Sequence, residues 1–233
     1  MHTYYLAAAD GNLATEVGPR IVYHLWGFPI SDTLITAWVV SLALIIFSFI
    51  VTRNLKMVPS GLQNVMELLL ESIMDLIDNM LPGRGKKFLP FIATIALFVG
   101  VSNLVGIIPL VKNPTADLNT TLALGLTVFV VSQVYGAKKK GVWNYLKGFA
   151  EPIFVMLPIN IIGELAKPVS HSFRLFGNIF GGGILLGVLA QFVPGPALVP
   201  VPLMAWFDVF VGLIQALVFF MLAIAYIAIA SEV

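Results

Sequence analysis

An arginine inside a long apolar segment restricts the folds open to this chain. The segment runs from residue 160 to 182 and reads NIIGELAKPVSHSFRLFGNIFGG. With about 100° per residue, its polar residues and two glycines share one helical face. They are Asn160, Glu164, Lys167, His171, Arg174, Asn178, Gly181 and Gly182. Large apolar residues cover the remaining circumference, which predicts a helix that is buried on most sides and carries a polar stripe.

Arg174 has a definite chemical character. Its guanidinium carries a permanent positive charge, and a charge at the bilayer centre costs about 2.5 to 3.5 kcal/mol on insertion scales. Such a charge normally faces a partner or a water-filled path, where it holds a carboxylate ionised and repels protons. Lys167 on the same face is interpreted as extending its ammonium to the interface. A soluble amphipathic helix is disfavoured because the stripe is so narrow.

The composition excludes several classes of protein. Of the 233 residues, 59% are hydrophobic and only 11% are charged, which is typical of polytopic membrane proteins. The net charge of +1 gives no reason to expect a nucleic-acid partner. The absence of cysteine excludes disulfides and thiolate metal sites. We predict neither a metal site nor a cofactor.

Hydropathy and turn signals predict an all-α polytopic membrane protein with about five membrane helices and one amphipathic surface helix. The membrane helices are expected at residues 33–52, 88–110, 120–137, 151–190 and 203–230, and the surface helix at 60–81. Residues 1–30 are expected to form an N-terminal interfacial segment, and residues 31–233 a single membrane domain. The surface helix has an acidic stripe, for which a solvated face is favoured over an ion funnel.

The last two helices are expected to form a facing pair. As a helix, the segment 151–190 would be about 50 to 60 Å long, whereas the hydrocarbon core of a membrane is roughly 30 Å thick. The helix must therefore tilt steeply, bend at Pro168 or run partly along the membrane plane. A proline-rich link at 191–202 leads to the last helix, where Asp208, Gly212 and Gln215 lie on a second polar stripe. Two polar faces inside a membrane predict a path for an ion.

Basic residues predict the orientation. If successive helices cross the membrane in alternating directions, the clusters of Arg and Lys lie at helix ends on one side of the membrane. Lys112 is alone on the other side. By the positive-inside rule, the N-terminus is outside and the C-terminus is cytoplasmic.

Several motifs together resemble a known family. The sequence KPVS at 167–170 precedes RLFGN at 174–178, and NLVGIIP at 103–109, PTADL at 114–118 and Gln215 accompany them. From about residue 30 onward the chain resembles subunit a of F-type ATP synthases. The resemblance implies two steeply tilted helices against a rotating ring of c subunits, and two aqueous half-channels. The implied partners are the c ring, the b subunits of the peripheral stalk and the surrounding lipid. The implied location is a bacterial plasma membrane, which the chain would cross several times. The resemblance also implies that Arg174 faces the ring carboxylate, with Gln215 as its partner and Asn178 as the polar residue one turn further.

The chain departs from the family at two positions. Many members have a carboxylate where this chain has Gly183, and some have a histidine where it has Asp208. These two positions are thought to act as a pair in the family. In this chain the carboxylate of the pair is therefore Asp208, on the last helix. This leads to the hypothesis that Asp208, with Glu164 and His171, carries ions toward the ring. Protons are the default ion, and sodium stays open.

Two other classes are disfavoured. A self-contained secondary transporter would use the same charges to bind substrate, but the chain is small and shows no internal repeat. An intramembrane enzyme would need a nucleophile and a base, and the neighbours Ser170, His171 and Ser172 do not face each other on a helix. We therefore expect a non-catalytic subunit of a larger complex.

Overall fold

The computed structural model describes residues 19–25, 28–108, 111–150, 153–192 and 205–232. The α-helices in these ranges are α1 (Asp32–Thr52), α2 (Leu62–Met80), α3 (Gly85–Leu104), α4 (Leu118–Lys140), α5 (Val142–Gly148), α6 (Leu157–Phe192) and α7 (Gly212–Glu232). Four helical segments are long and apolar enough to cross a membrane: Asp32–Thr52, Gly85–Ile107, Leu118–Lys140 and Trp206–Ser231. The predicted all-α polytopic membrane fold is confirmed.

Helix α6 differs from those four segments. It has 36 residues and continues through Pro168. At 1.5 Å per residue it is about 54 Å long, well over the thickness of the hydrocarbon core. Glu164, Lys167 and Arg174 interrupt its apolar sequence. Its steep tilt in the membrane stays a prediction.

Several elements were not predicted. A short antiparallel hairpin pairs β1 (Ile21–Leu25) with β2 (Phe28–Ser31) just before α1. Helix α5 is separate from α4 because Gly141 adopts a φ of +83°, which ends the preceding helix. The last helical segment begins as a π-helical turn, Ala205–Val211, before continuing as α7. Most of the predicted N-terminal segment and of the proline-rich link lies outside the described residues.

Contacts divide the chain into two compact units. The first unit comprises Met1–Asn54, Ala96–Thr121 and Arg174–Leu217, and the second comprises Leu55–Ile95, Leu122–Phe173 and Val218–Val233. Four helices, α3, α4, α6 and α7, therefore contribute one part to each unit.

In the first unit, a buried carboxylate attaches the start of α1 to the loop before α4. Asp117 is 4% exposed, and it accepts a hydrogen bond from Thr33 Oγ1 at 2.7 Å. The other carboxylate oxygen accepts from the Asn119 amide at 2.9 Å, which caps the first turn of α4. Lys112 in the same loop forms a 3.2 Å ion pair with Asp32. The loop is thus fixed at both ends.

A second polar contact in the first unit joins α3 to the beginning of α7. Asn103 is fully buried, and its Nδ2 donates to the Gly212 carbonyl at 2.8 Å while its Oδ1 accepts from Thr115 at 2.6 Å. A Cβ on Gly212 would lie only 3.0 Å from Asn103 Cβ, so the two backbones approach closely. This contact fixes the junction between the π-helical turn and α7.

In the second unit, α2 and α3 are joined by one of the acidic residues of the surface helix. Asp78 accepts a hydrogen bond from the Gly85 amide at 2.8 Å and so caps α3. Its neighbours on the stripe, Glu71 and Asp75, are exposed. The turn between α2 and α3 is also held by Arg84, whose side chain donates to the Tyr135 hydroxyl at 2.6 Å.

Helix α4 packs tightly in the second unit through a glycine. A Cβ on Gly136 would lie 2.6 Å from the Ala230 carbonyl oxygen and 2.8 Å from a ring carbon of Tyr145. Close by, Lys139 Nζ donates to the Ser231 carbonyl at 2.8 Å. This part of α4 therefore holds α5 and the end of α7.

We predict that Gly136→Ala destabilises the protein by about 1 to 3 kcal/mol, because a backbone carbonyl must move to admit the methyl group. The measurement is thermal unfolding of the purified complex in detergent. Gly163→Ala is the matched control, since nothing lies within 4 Å of a Cβ there. Equal stability of the two variants would contradict the close packing at Gly136.

Candidate functional site

A chain of polar side chains surrounds Glu164 in the second unit. Gln133 Nε2 donates to Glu164 Oε2 at 2.8 Å, and Lys167 forms an ion pair with Oε1. The Tyr145 hydroxyl donates to Gln133 Oε1 and so fixes the orientation of that amide. One charged and one neutral donor therefore fix the position of the Glu164 carboxylate.

Glu164 and Lys167 lie on the wall of a cavity of about 700 Å³. Tyr145 and Asn160 supply further polar groups to the wall, and Asn160 is fixed by donating to the Phe149 carbonyl at 3.0 Å. Most of the wall is apolar, and the cavity is large enough for water molecules to reach these polar groups.

His171 has a different environment from the other polar residues of α6. It is 2% exposed, its ring centroid lies 3.8 Å from that of Phe219, and Tyr226 follows at 5.6 Å. The Tyr226 ring also has Lys167 Nζ at 5.9 Å from its centroid. His171 is thus packed among aromatic rings rather than on the wall of the cavity.

In the first unit, Arg174 and Asn178 are exposed on one face of α6, one turn apart. Asn178 Nδ2 donates to Gln215 Oε1 at 2.6 Å, and Gln215 is 5% exposed. Leu175 is fully buried and anchors the helix on its other side. Within the described ranges, no carboxylate or other acceptor of this chain binds the Arg174 guanidinium.

Asp208 is half-buried in the π-helical turn of the first unit, and the Asn113 side chain hydrogen-bonds to it. Beside it, Phe207 packs against Gly182, where a Cβ would lie 2.9 Å from the ring. The structure thus joins Asp208 to Asn113, whereas Glu164 and His171 belong to the second unit. The hypothesis that these three titratable residues carry ions together stays a prediction.

Sequence reasoning missed three residues of these clusters. Gln133 could have been noticed as an amide in an otherwise apolar helix, but nothing in the sequence paired it with Glu164. Tyr145 and Asn113 lie in segments that read as connections. Among the described residues, no group of three or more metal-binding side chains is present.

The chain is similar to proteins of one known family. The sequence matches the family ATP synthase A chain over residues 34–228. The chain belongs to this family. It is 39% identical to ATP synthase subunit a of Moorella thermoacetica over 92% of this chain and 97% of the relative. It is also 43% identical to ATP synthase subunit a of Geobacter sulfurreducens, over 84% of this chain and 86% of the relative.

The side chains described around Glu164, Arg174 and Asp208 all fall inside the part of the chain that matches the ATP synthase A chain family. Membership in that family and the apolar helices together establish a multi-pass membrane protein of ATP synthesis and ion transport.

Tyr145 offers a titration that tests the geometry around Glu164. Burial, and after it the negative charge of Glu164, raise the pKa of the Tyr145 phenol above its ordinary value. We predict that Glu164→Gln lowers this pKa but leaves it above the ordinary value, because burial remains. The measurement is NMR titration of ring-labelled tyrosine, with Tyr145→Phe to assign the signal.

The control for that titration is Glu71→Gln, which removes an exposed carboxylate of α2. It should leave the Tyr145 titration unchanged. If Glu164→Gln has no larger effect than Glu71→Gln, the two groups do not interact as described.

Proposed function

We propose that this chain is the ion-translocating stator subunit of an F-type ATP synthase, and that Arg174 faces a carboxylate on the rotating ring of c subunits. The observation that carries this proposal is an exposed arginine on α6, a helix expected to lie in the membrane, with no carboxylate bound to it in the described part of its own chain. A charge this costly in a membrane needs a partner, and the partner must then come from another subunit.

The fixed charge would act on the ring carboxylate by electrostatics. Two unit charges 4 Å apart interact with about 4 kcal/mol at an effective dielectric constant of 20. That energy favours the ionised carboxylate, so a carboxyl group that reaches Arg174 releases its ion. Because a guanidinium does not deprotonate, it also prevents protons from passing directly between the two half-channels. Ion flow then requires rotation of the ring.

The cavity beside Glu164 would fill with water and serve as the half-channel on the cytoplasmic side. The positive-inside rule supports this side, because Lys138, Lys139 and Lys140 end the helix that carries Gln133. Glu164 would accept and release the proton, and Lys167 would hold its charge between transfers. Asp208, near the loop expected to be outside, would belong to the other half-channel.

The remaining parts of the machine would be supplied by other subunits. We propose contacts with the c ring, the b subunits of the peripheral stalk and lipid. The chain itself would catalyse no reaction, and nucleotide chemistry would occur elsewhere in the complex. Protons are the ion that the titratable groups Glu164 and Asp208 suit.

We predict that Arg174→Ala abolishes ATP-driven proton pumping and that Arg174→Lys also loses coupled transport, because lysine is a point charge that can deprotonate. The measurement is acidification of vesicles that contain the whole complex, in parallel with ATP hydrolysis. Arg53→Ala, which removes an exposed arginine at the end of α1, is the matched control and should pump normally.

Normal pumping by the assembled Arg174→Ala complex would sink the proposal. Ion uptake by the purified chain alone would favour a self-contained transporter instead. A sodium requirement in the wild type would change the ion but keep the role of Arg174.

For the cytoplasmic half-channel, we predict that Glu164→Gln reduces pumping by about tenfold or more, since a positioned acid–base group typically speeds proton transfer by at least that factor. The matched control Glu71→Gln should retain the wild-type rate, because Glu71 is exposed on α2. The initial rate of vesicle acidification measures both. Equal rates in the two variants would remove Glu164 from the path.

A further inference from the structure

The end of α4 and the start of α5, residues 138–147, form a basic corner that we call the α4–α5 corner. It contains no acidic residue and four lysines, namely Lys138, Lys139, Lys140 and Lys147. Helix α4 is one of the segments long and apolar enough to cross a membrane, and it ends at Lys140. The positive charge therefore lies where this segment would leave the hydrocarbon core.

Two of the four ammonium groups are open to a ligand. Lys138 and Lys147 are exposed, and within the described ranges neither pairs with a carboxylate. Lys147 Nζ lies 5.9 Å from the centroid of the Trp143 ring, so charge and indole are neighbours. Lys139 donates to the Ser231 carbonyl, which is a neutral acceptor. An anion that reaches Lys138 or Lys147 would therefore break no ion pair.

Helix α5 adds an apolar face beside the lysines. Val142, Trp143 and Leu146 are each more than half exposed. At about 100° per residue, they lie within about 100° of one another on the helix. Tyr145 lies outside that face, and its hydroxyl attaches α5 to α4 by donating to Gln133. Helix α5 is thus held by one side chain while three large apolar side chains stay exposed.

This combination fits a membrane surface better than it fits water or an acidic protein segment. Tryptophan is enriched at the membrane–water interface, where its ring lies at the level of the headgroups. Amphipathic helices with lysine and tryptophan lie in the plane of that interface. Clusters of about four to eight basic residues next to a span attract anionic headgroups. An acidic protein segment would match the lysines but would not account for the apolar face.

We propose that the α4–α5 corner binds the headgroup of an anionic phospholipid. The lipid phosphate is held by Lys138 or Lys147, and the apolar face of α5 enters the boundary between headgroups and acyl chains. Because α5 carries Tyr145, the bound lipid also holds the residue that fixes Gln133. This contact goes beyond the proposed function, since the role of Arg174 does not require it.

Photolabelling of the whole complex in vesicles tests the contact. The probe is phosphatidylglycerol with a photoreactive diazirine on the acyl chain close to the headgroup, present as a minor component of phosphatidylcholine vesicles. The matched probe is phosphatidylcholine with the same diazirine. Mass spectrometry of the digested chain locates the adducts. We expect the phosphatidylglycerol probe to label the α4–α5 corner about tenfold more than the phosphatidylcholine probe, because each lysine near the surface favours the anionic lipid.

Exchange of the two open lysines shows whether they are responsible. In Lys138→Gln with Lys147→Gln, phosphatidylglycerol labelling of the α4–α5 corner should fall by about fivefold or more. The conservative pair Lys138→Arg with Lys147→Arg keeps both charges and should keep the labelling. Arg53→Gln with Lys56→Gln is the matched control, because it removes the same charge from exposed residues that follow α1. It should leave labelling of the α4–α5 corner unchanged.

The salt dependence of the wild type gives a second measurement, which decides the proposal if the glutamine variant fails to assemble. Raising the ionic strength from about 0.1 to 1 M shortens the screening length from about 10 to 3 Å. Labelling by the phosphatidylglycerol probe should then approach that of the phosphatidylcholine probe. Labelling by phosphatidylcholine should not change, since that lipid carries no net charge.

The proposal would be overturned by equal labelling from the two probes, by wild-type labelling in the assembled glutamine variant, or by labelling that salt leaves unchanged. Missing lipid adducts, with carbodiimide cross-links from these lysines to another subunit, would show that an acidic protein segment occupies the corner instead. These outcomes differ from failure of the proposed function, which shows as normal pumping in Arg174→Ala.

Discussion

The lack of a counter-ion for Arg174 among the described residues is the constraint on which the proposed function depends. A guanidinium in a membrane is stabilised by charge neutralisation, and the described part of the chain supplies no carboxylate for it. On the proposed function, a partner subunit would neutralise this exposed charge, while tight packing holds the supporting helix. Leu175, fully buried beside Arg174, shows that packing directly, since it anchors α6 where its opposite face is open.

Several other charges, unlike Arg174, have partners within the chain. Glu164 is paired with Lys167, and Asp32 with Lys112, while Asp117 receives hydroxyl and amide donors. Pairing of this kind lowers the cost of a buried charge but also removes it from other interactions. These paired charges hold the fold, whereas Arg174 is exposed and, on the proposed function, would face a carboxylate of a neighbouring subunit.

The sequence was sufficient for the helices but not for the partners of their polar residues. Apolar runs of about twenty residues predict spans because backbone groups in lipid must bond within the helix. No such periodic signal predicts the hairpin strand Ile21–Leu25 or the π-helical turn. The same is true of the contacts of Gln133 and Asn113, because they depend on segments distant in the chain. Asp208 and Glu164 were identified as candidates by their charge, yet their separate neighbours came only from the fold.

The contact between Asn178 and Gln215 explains why amides, and not acids, accompany the arginine. Their 2.6 Å hydrogen bond joins α6 to α7 within the first unit, one turn from Arg174. Two amides satisfy each other without net charge, so the bond holds the helices together and leaves the guanidinium available. A carboxylate at either position would pair with Arg174 from within the chain, and on the proposed function such an ion pair would leave the guanidinium unable to act on a carboxyl group of the ring.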